Sequence, residues 1–394
     1  MYISRPHHEK ELKRAITGSK HAIVSGVSGT GKSWLCKKVA KDQKWNTKFA
    51  NCANASRLGT ITTEIINVLV PEGNQTQIGY SQSIAGEIGI PGIKGGATTN
   101  RSYNVSAMDD LEKAFRIARS NAGSSILVVV LDNLESIFSS KKLMQELGNI
   151  LLLLDDQRYA VYRIKFLLVG IPSEIREYYH SLPNMEPVSN RLTEVPPLRS
   201  LSATQVKEFV NKGFNGQLLV GLNAQTLSTW SNHVHTVTLG LAERVHEYCE
   251  NLAYALEDSD WTPNDKRLSE ADSKFLYGSL HKSYAIIESC MNERQTKTSR
   301  RNQVLYTLGT LGAPEFDTKI VEGRLRELFP NSTEGVTLGI GRILSELCEK
   351  DRPLLKRVSK TSFYCFSDPK SIMCLRLVLG KRDDETIIKK QFRR

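Results

Sequence analysis

The sequence predicts an α/β protein: a parallel sheet with helices on both faces, followed by an all-helical region and a short C-terminal ribbon. Three observations predict it. Aliphatic strand-like runs alternate with helix-like segments through the first 200 residues. The glycine-rich stretch Gly26-Val-Ser-Gly-Thr-Gly31-Lys32-Ser33 falls directly between such a run and a helix. After residue 200 the spacing of apolar residues is helical almost to the end.

In chain order, 21–27 (HAIVSGV) is a short apolar strand ending in glycine, and 33–42 continues as a helix. Residues 48–52 form a second strand and 58–70 a helix. A helix over 108–121 takes Ser106 as its N-cap. Residues 125–132 (SILVVVLD) are nearly all aliphatic, as a central parallel strand buried on both faces must be. A long helix follows at about 138–157, a buried strand at 164–171, and a shorter strand at 192–198 stopped by Pro196 and Pro197. Helices are predicted at 203–214 and 223–257, then at 272–292, 299–311, 317–328 and 337–349, with a turn at 330–333. The polar stretch 257–270 reads as a linker. Residues 354–367 read as a two-stranded ribbon, and helix–helix–helix–ribbon is the order of a winged helix. Residues 71–107, rich in Gly, Ser, Thr, Asn and Gln, fit no element and read as a functional insertion or contact loop.

Composition narrows the function. A chain of 394 residues with 40% apolar and 24% charged residues is a globular protein of two or three domains. Its longest apolar runs, Ile126–Leu131 and Ile150–Leu154, are far short of the eighteen or so residues that span a bilayer. The N-terminus is charged and lacks an apolar core, so no secretion signal is expected. Seven scattered cysteines, none in a CxxC pair, argue against a disulfide framework or a structural zinc and place the chain in a reducing cytoplasm. The net charge is +11, and residues 291–394 hold 21 basic against 13 acidic residues. Such a basic third permits contact with a polyanion, although a solvated basic surface would have the same composition.

Gly26 to Ser33 matches GxxxxGK[ST] in the strand-then-helix context that gives this motif its meaning. Gly26, Gly29 and Gly31 let successive N–H groups turn toward one anion, and Ser28 and Thr30 supply further N–H groups of the loop. Lys32 is suited to the β- and γ-phosphates of ATP and the Ser33 hydroxyl to Mg²⁺, with Trp34 next in the helix. Asp132 ends an aliphatic strand about 100 residues later, where a carboxylate orients Mg²⁺. The intervening segment adds a strand, so the Asp132 strand is expected beside a non-adjacent neighbour.

With GVSGTGKS, LDNLE, FLLVGIPSEIREYY and NRLTEVPPL in order, the chain resembles the AAA+ and STAND ATPases. The nearest pattern is the initiator-type AAA+ branch. The resemblance implies a P-loop ATPase core at 1–198, an all-α helical lid at 199–262 and a winged-helix-like domain at 263–394. It further implies an ATP-binding, ATP-hydrolysing switch that works as a homo-oligomer and couples nucleotide state to duplex DNA or to an effector protein, with no membrane. The alternative is a nucleotide-gated protein-interaction scaffold or STAND-type defence sensor that binds no nucleic acid.

The sequence departs from that pattern. Asn133 stands where an adjacent glutamate is common, and an amide holds a water without taking its proton. Either Glu135 activates the water, or hydrolysis is slow and nucleotide binding is the switch. Ser173 is the only polar residue near the tip of the 164–171 strand that could sense the γ-phosphate. Arg191, before the last core strand, stands where the resemblance implies an arginine finger reaching a neighbour's nucleotide; the competing role is an ion pair with Glu186 or Glu194. Arg244 follows Gly240 at the start of a lid helix, where a second phosphate sensor is implied, or else an exposed charge. In the tail, Thr337 is the expected N-cap of a helix with Leu338, Ile340, Ile343, Leu344 and Leu347 on its buried stripe and Arg342 outside. Arg352, Lys356, Arg357 and Lys360 fall in and around the ribbon, where a wing meets a phosphate backbone.

Overall fold

Five strands organise the first half of the chain: β1 (His21–Gly26), β2 (Asn46–Asn51), β3 (Leu127–Asp132), β4 (Ile164–Gly170) and β5 (Leu192–Leu198). All are parallel, in the order β2-β3-β4-β1-β5. The structure is a computed structural model that describes residues 1–70, 109–170, 178–179, 186–292, 299–349 and 351–392. The insertion at 71–107, Ser106 and Ser173 lie outside these residues. Alternation along each strand splits the core in two. Ile23, Leu127, Val129, Leu131, Phe166 and Leu168 face one way, toward helices α4 (Ile61–Leu69), α5 (Asp110–Ala122) and α7 (Lys141–Leu153). Ala22, Val24, Val128, Val130, Leu167 and Val169 face the other way, toward Leu12 and Ile16 of α1 (Pro6–Thr17) and Leu35 and Val39 of α2 (Lys32–Asp42). The Asp132 strand β3 lies between β2 and β4, its neighbours in sequence, rather than beside the non-adjacent strand expected; the 48–52 segment forms the edge strand β2, and β4 is the strand inserted between β3 and β1.

Several boundaries move, each for a local reason. The helix read at 58–70 is preceded by α3 (Cys52–Leu58), and Gly59 in the left-handed region (φ 74°) separates it from α4. Asp109 caps α5, its side chain accepting from the Glu112 N–H at 2.9 Å. The long helix expected at 138–157 is three pieces, α6 (Glu135–Phe138), α7 and α8 (Gln157–Ala160), with Ser140 and Asp156 capping the last two. Pro196 and Pro197 do not stop β5; they lie inside it, which an outermost strand tolerates because one of its sides needs no ladder hydrogen bonds. Short α9 (Glu186–Asn190) leads into β5.

Contacts divide the chain into two units, Tyr2–Arg199 and Ser200–Arg394, the latter including Met1. The second begins with α10 (Ala203–Val210), a π-helical turn over Asn211–Gln217, α11 (Ala224–Thr238) and α12 (Ala242–Glu257). Gly240 breaks the expected single helix at 223–257: its φ is +65°, and a Cβ there would collide with the Leu201 carbonyl oxygen. Gly240→Ala is therefore expected to cost about 2–4 kcal/mol, from a left-handed alanine plus an overpacked contact, read as a lowered denaturation midpoint at unchanged slope.

Half of the expected linker at 257–270 is helix, and only 258–264 remain a connection. Asn264 caps α13 (Asp265–Ser279), which packs along α12 and is tied to it by the buried Tyr248 hydroxyl donating to Asp272 at 2.6 Å. Helices α14 (His281–Cys290), α15 (Arg300–Thr310), α16 (Thr318–Leu328), α17 (Pro330–Thr333) and α18 (Ile340–Cys348) follow. Gly339, at φ 63°, is the N-cap of α18 with no side-chain cap bond, so Thr337 does not serve as the cap. Strands β7 (Leu355–Arg357) and β8 (Tyr364–Phe366) pair antiparallel as the ribbon, and β6 (Glu315–Phe316) adds a third strand in the order β6-β8-β7. Helix α19 (Lys370–Val378) and the hairpin β9 (Leu379–Lys381) and β10 (Ile387–Lys389) complete the unit, unanticipated by the sequence reading. Among the described residues no helix is long and apolar enough to cross a membrane.

Candidate functional site

The glycine loop runs from the buried end of β1 into α2. Its three glycines all take positive φ, as the sequence reading required: Gly26 has φ 151°, Gly29 has φ 80°, and Gly31, the N-cap of α2, has φ 92°. At Gly26 no side chain fits, since a Cβ would stand 2.5 Å from the Leu198 carbonyl oxygen of the neighbouring strand. Thr30 closes the loop, its hydroxyl donating to Val27 O at 2.8 Å, while Ser28 stays exposed and Gly29 half-buried. The Lys32 ammonium donates to Gly26 O at 2.9 Å and Val27 O at 3.3 Å. Burial lowers its pKa, while the Glu135 and Asp132 carboxylates, in that order, pull it back up.

Ser33 Oγ donates to Asp132 Oδ2 at 2.8 Å, so two residues 99 positions apart meet at the loop. These are hard oxygen donors, and a cation such as Mg²⁺, which keeps most of its own waters, needs only one or two of them from protein. The pair therefore fits Mg²⁺. Among the described residues no group of three or more His, Cys, Asp or Glu could hold a metal by itself.

Asn133 and Glu135 occupy different places. Asn133 has φ 58°, and its amide donates to Asn51 Oδ1 at 3.1 Å. Glu135 opens α6 over the tip of β4: a Cβ built on Gly170 would stand 3.1 Å from its Oε2. The Leu134 N–H donating to Val169 O at 3.2 Å fixes this approach. Of the two side chains, the carboxylate is the one whose charge acts on the loop lysine.

Arg191 stands at the far end of the sheet. His21 pairs with Leu192, whereas Gly26 pairs with Leu198, so five strand steps, about 17 Å, separate Arg191 from its own phosphate loop. Its Nε lies 2.5 Å from Asp155 Oδ2 without an aligned hydrogen bond, and Nη1 donates to Pro187 O at 2.8 Å. The ion partner is Asp155 rather than either glutamate considered from sequence. Arg244 belongs to the second unit and is held there between Glu247 at 2.5 Å and Glu243 at 3.2 Å. Trp34 is 60% exposed on α2.

Two supports carry no sign in the local sequence. Buried Arg5 donates from Nη2 to Thr30 O at 2.8 Å and from Nη1 to Arg199 O at 3.1 Å, bracing the loop from the chain start. Asn51 caps α3 and also receives the Asn133 amide. An Asn between strand and helix signals a cap; its second contact follows only from the β2–β3 register, which pairs Asn51 with Asp132.

In the tail, Arg342 projects from α18 with its side chain 87% exposed and pairs with Glu346 at 2.9 Å. Arg352, Lys356, Arg357 and Lys360 are exposed, Arg357 lying over the Tyr364 ring at 5.6 Å.

Residues 15–179 match the family described as the AAA domain. No protein of curated function matches the sequence. Among solved structures, a Walker-type ATPase of Pyrococcus abyssi is similar over 95% of this chain and 96% of its own, with 13% identity and a TM-score of 0.50, a likeness of fold. The ADP form of the ORC2 protein of Aeropyrum pernix (96% and 95% covered, 15% identity, TM-score 0.47) and Cdc6p of Pyrobaculum aerophilum (95% and 96% covered, 13% identity, TM-score 0.44) are more weakly similar.

Proposed function

We propose that this chain binds ATP with Mg²⁺, hydrolyses it slowly, and uses nucleotide state to control engagement of duplex DNA; the match of residues 15–179 to the AAA domain supports the ATPase part of this reading. The observation that carries the reading is the convergence of Lys32, Ser33, Asp132 and Glu135 on one strand–loop–helix turn.

The division of labour follows from the side chains. Lys32 neutralises phosphate charge, and the N–H groups from Val27 to Gly31 receive the phosphate oxygens at the start of α2. Ser33 and Asp132 hold Mg²⁺, which when bound offsets the negative charge building on the phosphates. Glu135 takes the proton of the attacking water, while the Asn133 amide is engaged by Asn51. Ser173 is read as the γ-phosphate sensor. We read residues 199–262 as the lid and Arg244, paired with Glu243 and Glu247, as its phosphate sensor. Because Arg191 is about 17 Å from its own loop, it acts on a neighbour's nucleotide in a homo-oligomer.

Residues 263–394 are read as a winged-helix tail, supported by the helix–strand–helix–helix–ribbon order and the β6-β8-β7 sheet. Lys356, Arg357 and Lys360 of the wing, with Arg342 of α18, would contact the phosphate backbone and position rather than specify.

The test combines both ends of the chain. Lys32→Ala should stay folded by circular dichroism and bind ATP roughly 10–100-fold more weakly by calorimetry, the loss of a charged contact. Duplex affinity should fall with salt at a log–log slope of about −3 to −4, near −0.9 for each of the four cations. Unchanged ATP affinity in folded Lys32→Ala protein removes the nucleotide site. A flat salt response makes the tail a docking module for an effector protein.

A further inference from the structure

We propose that the outer face of helices α1 and α2 is a binding surface for single-stranded nucleic acid, separate from the tail. The first 50 residues hold eleven basic and three acidic residues, the same net charge of +8 that residues 291–394 reach with 21 basic and 13 acidic residues. The fold concentrates these charges. Helix α2 turns Leu35, Cys36, Val39 and Ala40 into the core, which sends Trp34, Lys37, Lys38 and Lys41 to the opposite side at spacings of three and four residues. Helix α1 packs beside it, burying Leu12 and Ile16 and exposing Lys10 and Lys13.

The few acids do not cancel this charge. Asp42 pairs with Lys38 and Glu11 with Arg14, while Glu9 is engaged by Tyr2, Ser4 and the Arg5 N–H. Lys10, Lys13, Lys37, Lys41 and Lys44 have no acidic partner among the described residues. Five unneutralised ammonium groups, on two packed helices and the turn that follows the second, match a polyanion.

The indole selects the class of polyanion. Trp34 is 60% exposed, and Lys37 Nζ lies 5.9 Å from its ring centroid and 5.6 Å from that of Phe49. An exposed ring among lysines stacks an unpaired base while the lysines track the backbone. A duplex hides its base faces and leaves the indole unused. An anionic bilayer takes up an apolar helix face, and here that face is already committed to the core.

The experiment uses the full chain, a fluorescent oligothymidylate of about 20 nucleotides and anisotropy across a salt series. The triple variant Lys37→Glu, Lys41→Glu, Lys44→Glu should bind it at least tenfold more weakly, with a log–log slope shallower by about 2, near 0.7 for each lost contact. Lys37→Gln, Lys41→Gln, Lys44→Gln should show the same slope change with a smaller loss of affinity. Trp34→Leu should cost roughly 5–150-fold at unchanged slope, the range of one stacked base. A tail triple variant, Lys356→Glu, Arg357→Glu, Lys360→Glu, should leave oligothymidylate binding intact, whether or not it changes duplex binding, so this inference and the tail reading fail separately. Unchanged oligothymidylate affinity in the folded Glu or Gln triple variants overturns the proposal. So does loss of that binding in the tail variant alone, or preference for vesicles containing phosphatidylserine.

Discussion

Arg191→Ala is expected to bind ATP with near-normal affinity and to lose about 10³–10⁵ in turnover. The sheet register keeps Arg191 about 17 Å from its own phosphate loop, so any effect on hydrolysis must cross to another copy. Within its own chain the guanidinium contacts Asp155 and the Pro187 carbonyl. An ion pair of that partly exposed kind is worth about 0–1 kcal/mol, little to give up against phosphate charge. Mixing Arg191→Ala with Lys32→Ala protein should restore part of the turnover, because one chain brings a nucleotide site and the other an arginine. If the mixture stays inactive while the chains co-assemble, or if Arg191→Ala hydrolyses ATP normally as a monomer, Arg191 is a structural charge held by Asp155.

Glu135→Gln should bind ATP as before and turn it over about 10²–10⁴-fold more slowly in single-turnover measurements. The amide keeps the shape and accepts a hydrogen bond but cannot take a proton. Asn133→Ala, by contrast, should change turnover modestly, since its amide points to Asn51. The opposite ranking would assign the water to Asn133 and leave Glu135 as the electrostatic partner of Lys32.

How far the sequence could be read depended on the range of each interaction. The phosphate loop was legible because its conformation is set within eight residues by Gly26, Gly29, Gly31 and a following helix. Asp132 was legible because an all-aliphatic strand has few places to put a carboxylate other than its end. Asn133 as a doubtful base could be argued from its chemistry, but its engagement with Asn51 required strand register. Arg5 was invisible: a single arginine before Pro6 carries no local sign that it braces Thr30 from 25 residues away. The failure at 257–270 has another cause. Polar residues at α13's start are N-cap and first-turn chemistry, and composition alone confuses them with a linker. Likewise Thr337 is the better capping residue by type, but the left-handed turn at Gly339 starts α18 two residues later.

The proline pair in β5 carries an implication for how this chain tolerates change. Val24 faces Val195 and Gly26 faces Leu198, so the single residue Ser25 lies opposite both Pro196 and Pro197. That extra residue brings the Leu198 carbonyl over Gly26. The edge strand can therefore drift in amino-acid identity but not in length. Losing one residue between Val195 and Leu198 would slide the neighbour past β1 and release the first turn of the phosphate loop, although no residue of the motif had been altered. Insertions and deletions, rather than substitutions, are the lesions to which this half of the molecule is most vulnerable.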